Sequence, residues 1–512
     1  MNIIPYHYVF VGSGLSCTYT LIHLLNILKH SAGKKLCNVL VLEKAEEFWT
    51  GIPYGNRSGK SSLIITALKD FIPVSERELF INFLNRNLTI LFDDFESKGG
   101  KLSLEWRAEN KTLVETEKWD DIFLPRYFFG EFLKNRISDL INEASELGLV
   151  KFDLIQAEVK EIRKEKEKYI ISYCNNEEEI IIESEKVILS VGSPPKKPFL
   201  NVGTTGSKFL LIEDLYQPAI SANISLLVSS LCRTSVANNV LVIGSNASAL
   251  ELFYNLNNFP ELRKSVNKYY VISPSKFPHP ILIGTELENY DLSNLELLKT
   301  RKRFTANDIL EAVKKDTYNA ENAGVSIAGI INSTSSVIID LLNRLSFTQQ
   351  KQFVHAAGVE IGKLQRRAGH EYLAVVQNLL ERDKLELIQG KFSKATEVKE
   401  GLQFEYIDKE GQSIAFSTPV QAIINCGGFN DISENTISLL IKNLIKNNIC
   451  KPNRSRRGFF VNERFEANKN LFVMGPLLAG NINKNIRVWH AESCSRIFSL
   501  SKQLAENLAA DH

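Results

Sequence analysis

The sequence reads as an α/β chain built around two copies of one unit, in which a short apolar strand turns at a glycine into a helix and returns to a second apolar strand. Three observations predict this. Residues 8–11 form a β-branched and aromatic run ending at Gly12, followed by a helical repeat over 18–29 and a buried strand over 38–42. Residues 239–243 form a second such run ending at Gly244, followed by a helix over 247–257 and a strand over 269–272. At 512 residues the chain is also longer than one hydrophobic core serves, so two or three packed units are expected.

Composition excludes several classes. Hydrophobic residues make up 44% and charged residues 23%, with a formal net charge of +2, an ordinary globular balance that calls for no nucleic-acid partner. The longest apolar runs, such as 36–42, fall far short of the roughly 20 residues of a membrane span, and residues 1–11 carry no basic flank or cleavage site. A cytoplasmic location without membrane contact is the expectation. Seven cysteines, at 17, 37, 174, 232, 426, 450 and 494, include no CxxC pair, so neither a disulfide framework, a metal site nor a redox dithiol is expected.

Between the two units, residues 51–110 are irregular, with Gly51-Ile52-Pro53-Tyr54-Gly55 as a turn and a helix over 76–87, and they read as an insertion over the first site. Residues 128–147 are helical, 154–158 a strand, and 168–185 a hairpin returning to the strand 186–190, which Pro194, Pro195 and Pro198 terminate. Beyond the second unit, 305–323 and 346–380 are helical and 385–389, 404–407 and 420–425 are strands. A strand over 470–474 and a helix over 490–508 close the chain. The expected division is 1–235, with 51–120 as the insertion, then 236–415, with a helical part over about 300–380, then a return over 416–512.

A dinucleotide diphosphate needs a turn tight enough for backbone amides to face it, a helix N-terminus that favours negative charge, and small residues where helix meets strand. Gly12-Ser13-Gly14-Leu15-Ser16-Cys17 supplies these, with Cys17 as a small substitute for a third glycine. Glu43, followed by Lys44, ends the second strand, where a carboxylate accepts hydrogen bonds from an adenosine ribose. It follows Gly14 by 29 positions rather than the usual 20 or so, and residues 30–35 read as the extra turn. The second turn, Gly244-Ser245-Asn246-Ala247-Ser248-Ala249, keeps one glycine of three, and the strand after its helix ends in Ser273-Pro274-Ser275-Lys276 without a carboxylate. A hydroxyl and a lysine there suit a 2′-phosphate, which favours NADPH over NADH.

By these features the chain resembles the FAD/NAD(P)-binding flavoproteins with two dinucleotide-binding domains, close to the class B and N-hydroxylating monooxygenases. Beside the two turns, Gly51 to Gly55 is similar to the family's loop over the isoalloxazine and Leu124-Pro125-Arg126 with Gly130 to its PRxxxG helix start. The strand ends Leu189-Ser190-Val191-Gly192 and Ile424-Asn425-Cys426-Gly427-Gly428 are similar to its crossovers between domains, and Met474-Gly475-Pro476-Leu477 to its last flavin strand. Many relatives place an aspartate where this chain has Pro476. The resemblance implies two Rossmann-like domains, a discontinuous FAD domain and an inserted NADPH domain, with a helical insertion. It also implies that residues 480–490 meet the flavin's pyrimidine edge, and that NADPH-reduced flavin captures O2 and oxygenates a small-molecule nucleophile, such as an amine, through a flavin hydroperoxide. An NAD(P)H-dependent flavin reductase that does not use oxygen and a non-catalytic binding module stay open beside it.

Four further candidates each carry two readings. Arg126 anchors a phosphate or a substrate carboxylate, or is an ion-paired helix start. Arg366, Arg367 and His370 match an Arg/His cluster of relatives, or form a solvated basic face. Trp489 and His490 line the flavin pocket, with His490 and Arg126 as the catalytic candidates, or pack in the core. Lys276 holds a phosphate or lies free on the surface. No hydrolytic or phosphoryl-transfer motif stands in a suitable context.

Overall fold

The computed structural model describes residues 5–31, 36–175, 178–198, 202–203, 209–232, 238–280, 290–325, 327–433, 438–489 and 494–510. Residues 32–35 of the extra turn read over 30–35, and His490, lie outside them.

Two sheets divide the molecule. The first has eight strands, of which Leu471–Val473, Glu178–Leu189, Pro5–Val11, Cys37–Glu43 and Val150–Gln156 run parallel in that spatial order. Pro5–Val11 lies at its centre with Val9 and Phe10 fully buried, which is why this strand reads as continuously apolar. The long strand Glu178–Leu189 also carries the antiparallel hairpin Glu158–Glu165 and Lys168–Asn175.

The second sheet has five parallel strands in the order Leu385–Gln389, Val266–Ser273, Asn238–Ile243, Ala422–Asn425 and Leu210–Ile212. Two of its members fall outside the expected boundaries. Leu210–Ile212 and Ala422–Asn425 both pair inside it, so the second unit runs from before residue 210 to about 427 rather than over 236–415. A three-residue strand has no periodicity by which sequence could have found it.

Two helical stretches differ from the sequence expectation. Residues 74–115, read mostly as irregular, form the helices Val74–Lys98 and Gly100–Glu115, broken at Gly100 with φ +67°. Phe80, Leu84, Leu91, Phe92 and Phe95 give the first of these one buried stripe among charged residues. The single helix expected over 346–380 is instead Phe347–Gln352, a π turn over Phe353–Ala357, Gly358–Leu364 and His370–Glu381. The break between the last two exposes Arg366 to the second unit. The helices from Ser293 to Leu364 keep a separate hydrophobic core, which Trp489 joins.

Candidate cofactor sites

The two glycine turns are built on the same hydrogen-bond frame. At the first, Gly12 N donates to Leu42 O and Ser190 N to Val11 O, both at 2.8 Å. At the second, Gly244 N donates to Ile272 O and Cys426 N to Ile243 O, again at 2.8 Å. Each turn therefore lies between the end of the next strand and the end of the crossover strand. Both positions require glycine: φ is +93° at Gly12 and +99° at Gly244, and an added Cβ would stand 2.4 Å from Ser190 O and 2.6 Å from Cys426 O.

Chemistry separates them. In the first turn, Glu43 Oε2 accepts from Ser13 N at 2.7 Å and from Ser13 Oγ at 3.1 Å, while Oε1 accepts from Ala45 N at 3.0 Å. The carboxylate is thus held at the mouth of the turn, half-buried. In the second turn the equivalent contact joins two hydroxyls, Ser245 Oγ and Ser273 Oγ, at 2.9 Å, and Ser245 Oγ also bonds Ser275 O and Lys276 O. A site walled by a carboxylate repels a 2′-phosphate; a site walled by hydroxyls does not.

Around the first turn, Gly14 packs on Gly51, its would-be Cβ 3.5 Å from the Gly51 Cα, so the helical turn Gly51–Tyr54 lies directly over the glycines. Gly475, with φ +85°, closes the other side, its would-be Cβ 2.5 Å from Ser16 Oγ. Pro476 and Leu477 begin a single helical turn behind it, and Leu15 and Leu477 are buried. Gly192, φ +79°, leaves open space at the crossover. Cys17 is fully buried and its thiol is pushed well up by burial and by Glu43, so it serves as a small packing residue and no thiolate. Lys44 is exposed, and Tyr54 is buried with its ring edge-on to Phe129.

Two polar groups at this site would suit an anionic, hydroxyl-bearing ligand. The Ser190 hydroxyl is buried beside Gly12 and has no hydrogen-bond partner among the described residues. Arg57, which sequence reading missed, donates from Nε to Tyr216 O at 3.1 Å, but its buried Nη2 has no partner among the described residues. Burial holds this guanidinium below its ordinary range, with Asp214 and Glu43 pulling the other way. Unsatisfied buried donors of this kind mark a place that a diphosphate would complete.

The second turn is flanked by Gly427, whose amide caps Asn425 Oδ1 at 3.0 Å, and by Lys196, whose Nζ reaches Ser248 Oγ at 3.3 Å and Gly427 O at 3.2 Å. Ala247, at the helix start, is exposed, as is Lys276. Arg366 Nη1 donates to Asn246 Oδ1 at 2.7 Å across 120 positions of sequence.

Arg126 faces neither turn. Its Nη2 lies 2.5 Å from Glu251 Oε1, and its Nε donates to Leu63 O at 2.7 Å. Tyr216 Oη donates to the other oxygen of Glu251 at 2.6 Å. The pair is buried, and Glu251 holds the guanidinium pKa above its ordinary range against desolvation. Glu251 belongs to the helix Ala247–Asn255 that follows the second turn, so Arg126 fixes that helix to the first unit. Trp489 packs its ring on Phe353 in the helical core, and its carbonyl accepts from Arg457 Nη2 at 3.3 Å. His370 is exposed, 3.4 Å from the Glu371 carboxylate. A cleft of about 540 Å³ opens between the helical part and the loop 452–456, lined by Lys351, His355, Asp431, Arg454 and Arg456.

Residues 9–194 match the family model described as FAD-NAD(P)-binding. The whole chain is 32% identical over 508 residues to the uncharacterized protein Rv3403c of Mycobacterium tuberculosis, covering 98% of this chain and 95% of that protein. The chain belongs to this family of FAD-NAD(P)-binding proteins. Among solved structures it is similar to the reduced form of ornithine hydroxylase (PvdA) from Pseudomonas aeruginosa, with a TM-score of 0.57, 13% identity and 99% of each chain covered. It is also similar to the ornithine N-hydroxylase KtzI of Kutzneria sp. 744, solved with reduced FAD, NADP+ and L-ornithine, with a TM-score of 0.56, 13% identity, and 99% of this chain and 100% of that one covered. At that identity the likeness fixes the fold, that of flavoenzymes with two dinucleotide-binding domains. Among the described residues no helix is long and apolar enough to cross a membrane.

Proposed function

We propose that this protein is an FAD-dependent, NADPH-reduced monooxygenase that oxygenates a small-molecule nucleophile such as an amine. The observation that carries the reading is the repeated turn frame with opposite partners, Glu43 at the first and Ser273 at the second. The first then takes an adenosine ribose with free hydroxyls, as FAD has, and the second a 2′-phosphorylated one. Bound FAD supplies the redox chemistry, accepting hydride from the nicotinamide.

The chain's own residues set the geometry. Arg126 and Glu251 hold the second turn at a fixed place relative to the first. The Gly51–Tyr54 turn and Gly475 enclose the diphosphate end of the first site. The cysteines nearest the turns are unsuited to relay electrons, since burial raises Cys17 and pushes Cys426 up to about 12. With no redox thiol pair in the sequence, bound FAD would supply electrons to oxygen or directly to a substrate. The solved relatives that act on ornithine support oxygen and an amine.

The test is anaerobic titration of the purified, FAD-loaded protein with NADPH and with NADH, followed by admission of O2 with candidate amines. The expected result is faster bleaching of flavin absorbance by NADPH, reoxidation by O2, and oxygen uptake matched by hydroxylated amine. Reduced protein that O2 reoxidises no faster than solvent controls, but that other acceptors do, would make it a reductase. Tight NADPH binding without bleaching would make it a binding module.

A further inference from the structure

At the second turn two cations converge, neither of them ion-paired with a carboxylate among the described residues. Lys196 comes from the crossover after the first sheet, half-buried beside the rings of Tyr216 and Phe429, and lies on Ser248. Arg366 comes from the break after the helical part, half-buried, and lies on Asn246. Neither has a carboxylate within ion-pairing distance among the described residues, and burial holds the Arg366 guanidinium below its ordinary range, with Glu360 pulling the other way. Their two contacts sit at Asn246 and Ser248, the start of the helix Ala247–Asn255, whose first amides have no side-chain cap. At the first turn the corresponding place, Gly14, is covered by Gly51 instead.

Position separates these cations from the ribose end. On the nicotinamide reading a 2′-phosphate would lie beyond Ser273, at Ser275 and Lys276, which the Ser245 hydroxyl bonds, whereas Asn246 and Ser248 flank the helix-start amides that would face a diphosphate. We infer that Lys196 and Arg366 form a clamp on the diphosphate of the nicotinamide dinucleotide, replacing with two side-chain cations the backbone approach that the missing glycines would have allowed. The inference rests on the second turn being the nicotinamide site. Arg366 also makes the helical part a contributor to that site, because its segment pairs with the loop after Ser273 through Arg367–Ala368 and His279–Pro280.

Calorimetric titration of the FAD-loaded protein with NADP+ and with NAD+ tests it, using Lys196→Gln, Arg366→Gln, Arg366→Lys and Lys276→Gln, each checked for an unchanged flavin spectrum. Lys196→Gln and Arg366→Gln are expected to weaken both dinucleotides by the same factor, about tenfold, because both ligands carry the diphosphate. Arg366→Lys, which keeps the charge, is expected to restore most of the loss. Lys276→Gln should weaken NADP+ alone. A loss confined to NADP+ in the Arg366 or Lys196 variants, or no loss, overturns the clamp while the nicotinamide reading stands. Wild-type protein that binds neither dinucleotide overturns both.

Discussion

The two glycine turns share a backbone and differ in almost everything that touches a ligand. Their four defining hydrogen bonds match at 2.8 Å, and each glycine backs onto a crossover carbonyl. Yet the first keeps Gly14, a carboxylate and a covering loop, while the second has Asn246, a hydroxyl pair and two side-chain cations. The backbone frame is what the α/β unit needs to fold. The side chains around it decide which dinucleotide fits: the turns keep Gly12/Gly244, Ser13/Ser245 and Ser16/Ser248 in common and differ at the other three positions.

The strongest way to break this comparison is to cut the link between the turns. Arg126→Met leaves Glu251 buried without its cation and is expected to cost about 3–5 kcal/mol in denaturant unfolding. The Arg126→Met/Glu251→Met double variant should recover most of it. A loss of under about 1 kcal/mol in the single variant would show that the pair is solvated and fixes nothing.

Next in size, Gly12→Ala and Gly244→Ala each place a Cβ against a carbonyl at positive φ, at a cost of about 2 kcal/mol or more. The two should separate by ligand. Gly12→Ala purifies without flavin colour, and Gly244→Ala keeps the colour but no longer binds NADP+. If both lose flavin equally, the turns are one structural unit and the division between them fails.

Glu43→Gln sharpens the chemical difference, with FAD affinity expected to fall about tenfold through the ribose contact while NADP+ binding holds; equal loss at both sites would contradict it. The smallest effect is a pH dependence confined to the first unit. Burial holds His23, in the first helix, below its ordinary pKa of about 6.5. The unfolded chain therefore takes up a proton there before the folded one does, and stability falls as pH drops from about 6.5. His23→Gln should flatten that slope in melting curves taken from pH 7 downward.

Much of the frame was legible in the sequence because it is local: the strands before Gly12 and Gly244, the helices after them, and Glu43 at a strand end all lie within one βαβ unit. What was not legible depends on distance. The Arg366 contact spans 120 positions, and the periodicity of 346–380 runs through the break that delivers it, so this segment reads as one solvated helix. Arg126 reads equally as a ligand anchor or an ion-paired helix start, because a sequence does not show that Glu251 is buried opposite it. The boundaries of the second unit moved for a similar reason, since Leu210–Ile212 is three residues long and is defined only by its neighbour Ala422–Asn425.

The buried Arg126–Glu251 pair also constrains motion. Many two-domain oxidoreductases admit and release ligands by turning one domain on the other. Here such a turn either tears a desolvated ion pair from its Tyr216 and Leu63 partners or leaves it intact at the centre of rotation. The second course would be much the cheaper, so any rotation of the second unit on the first would have to pivot at this pair, as about an axle, and would leave the helix behind Gly244 nearly in place.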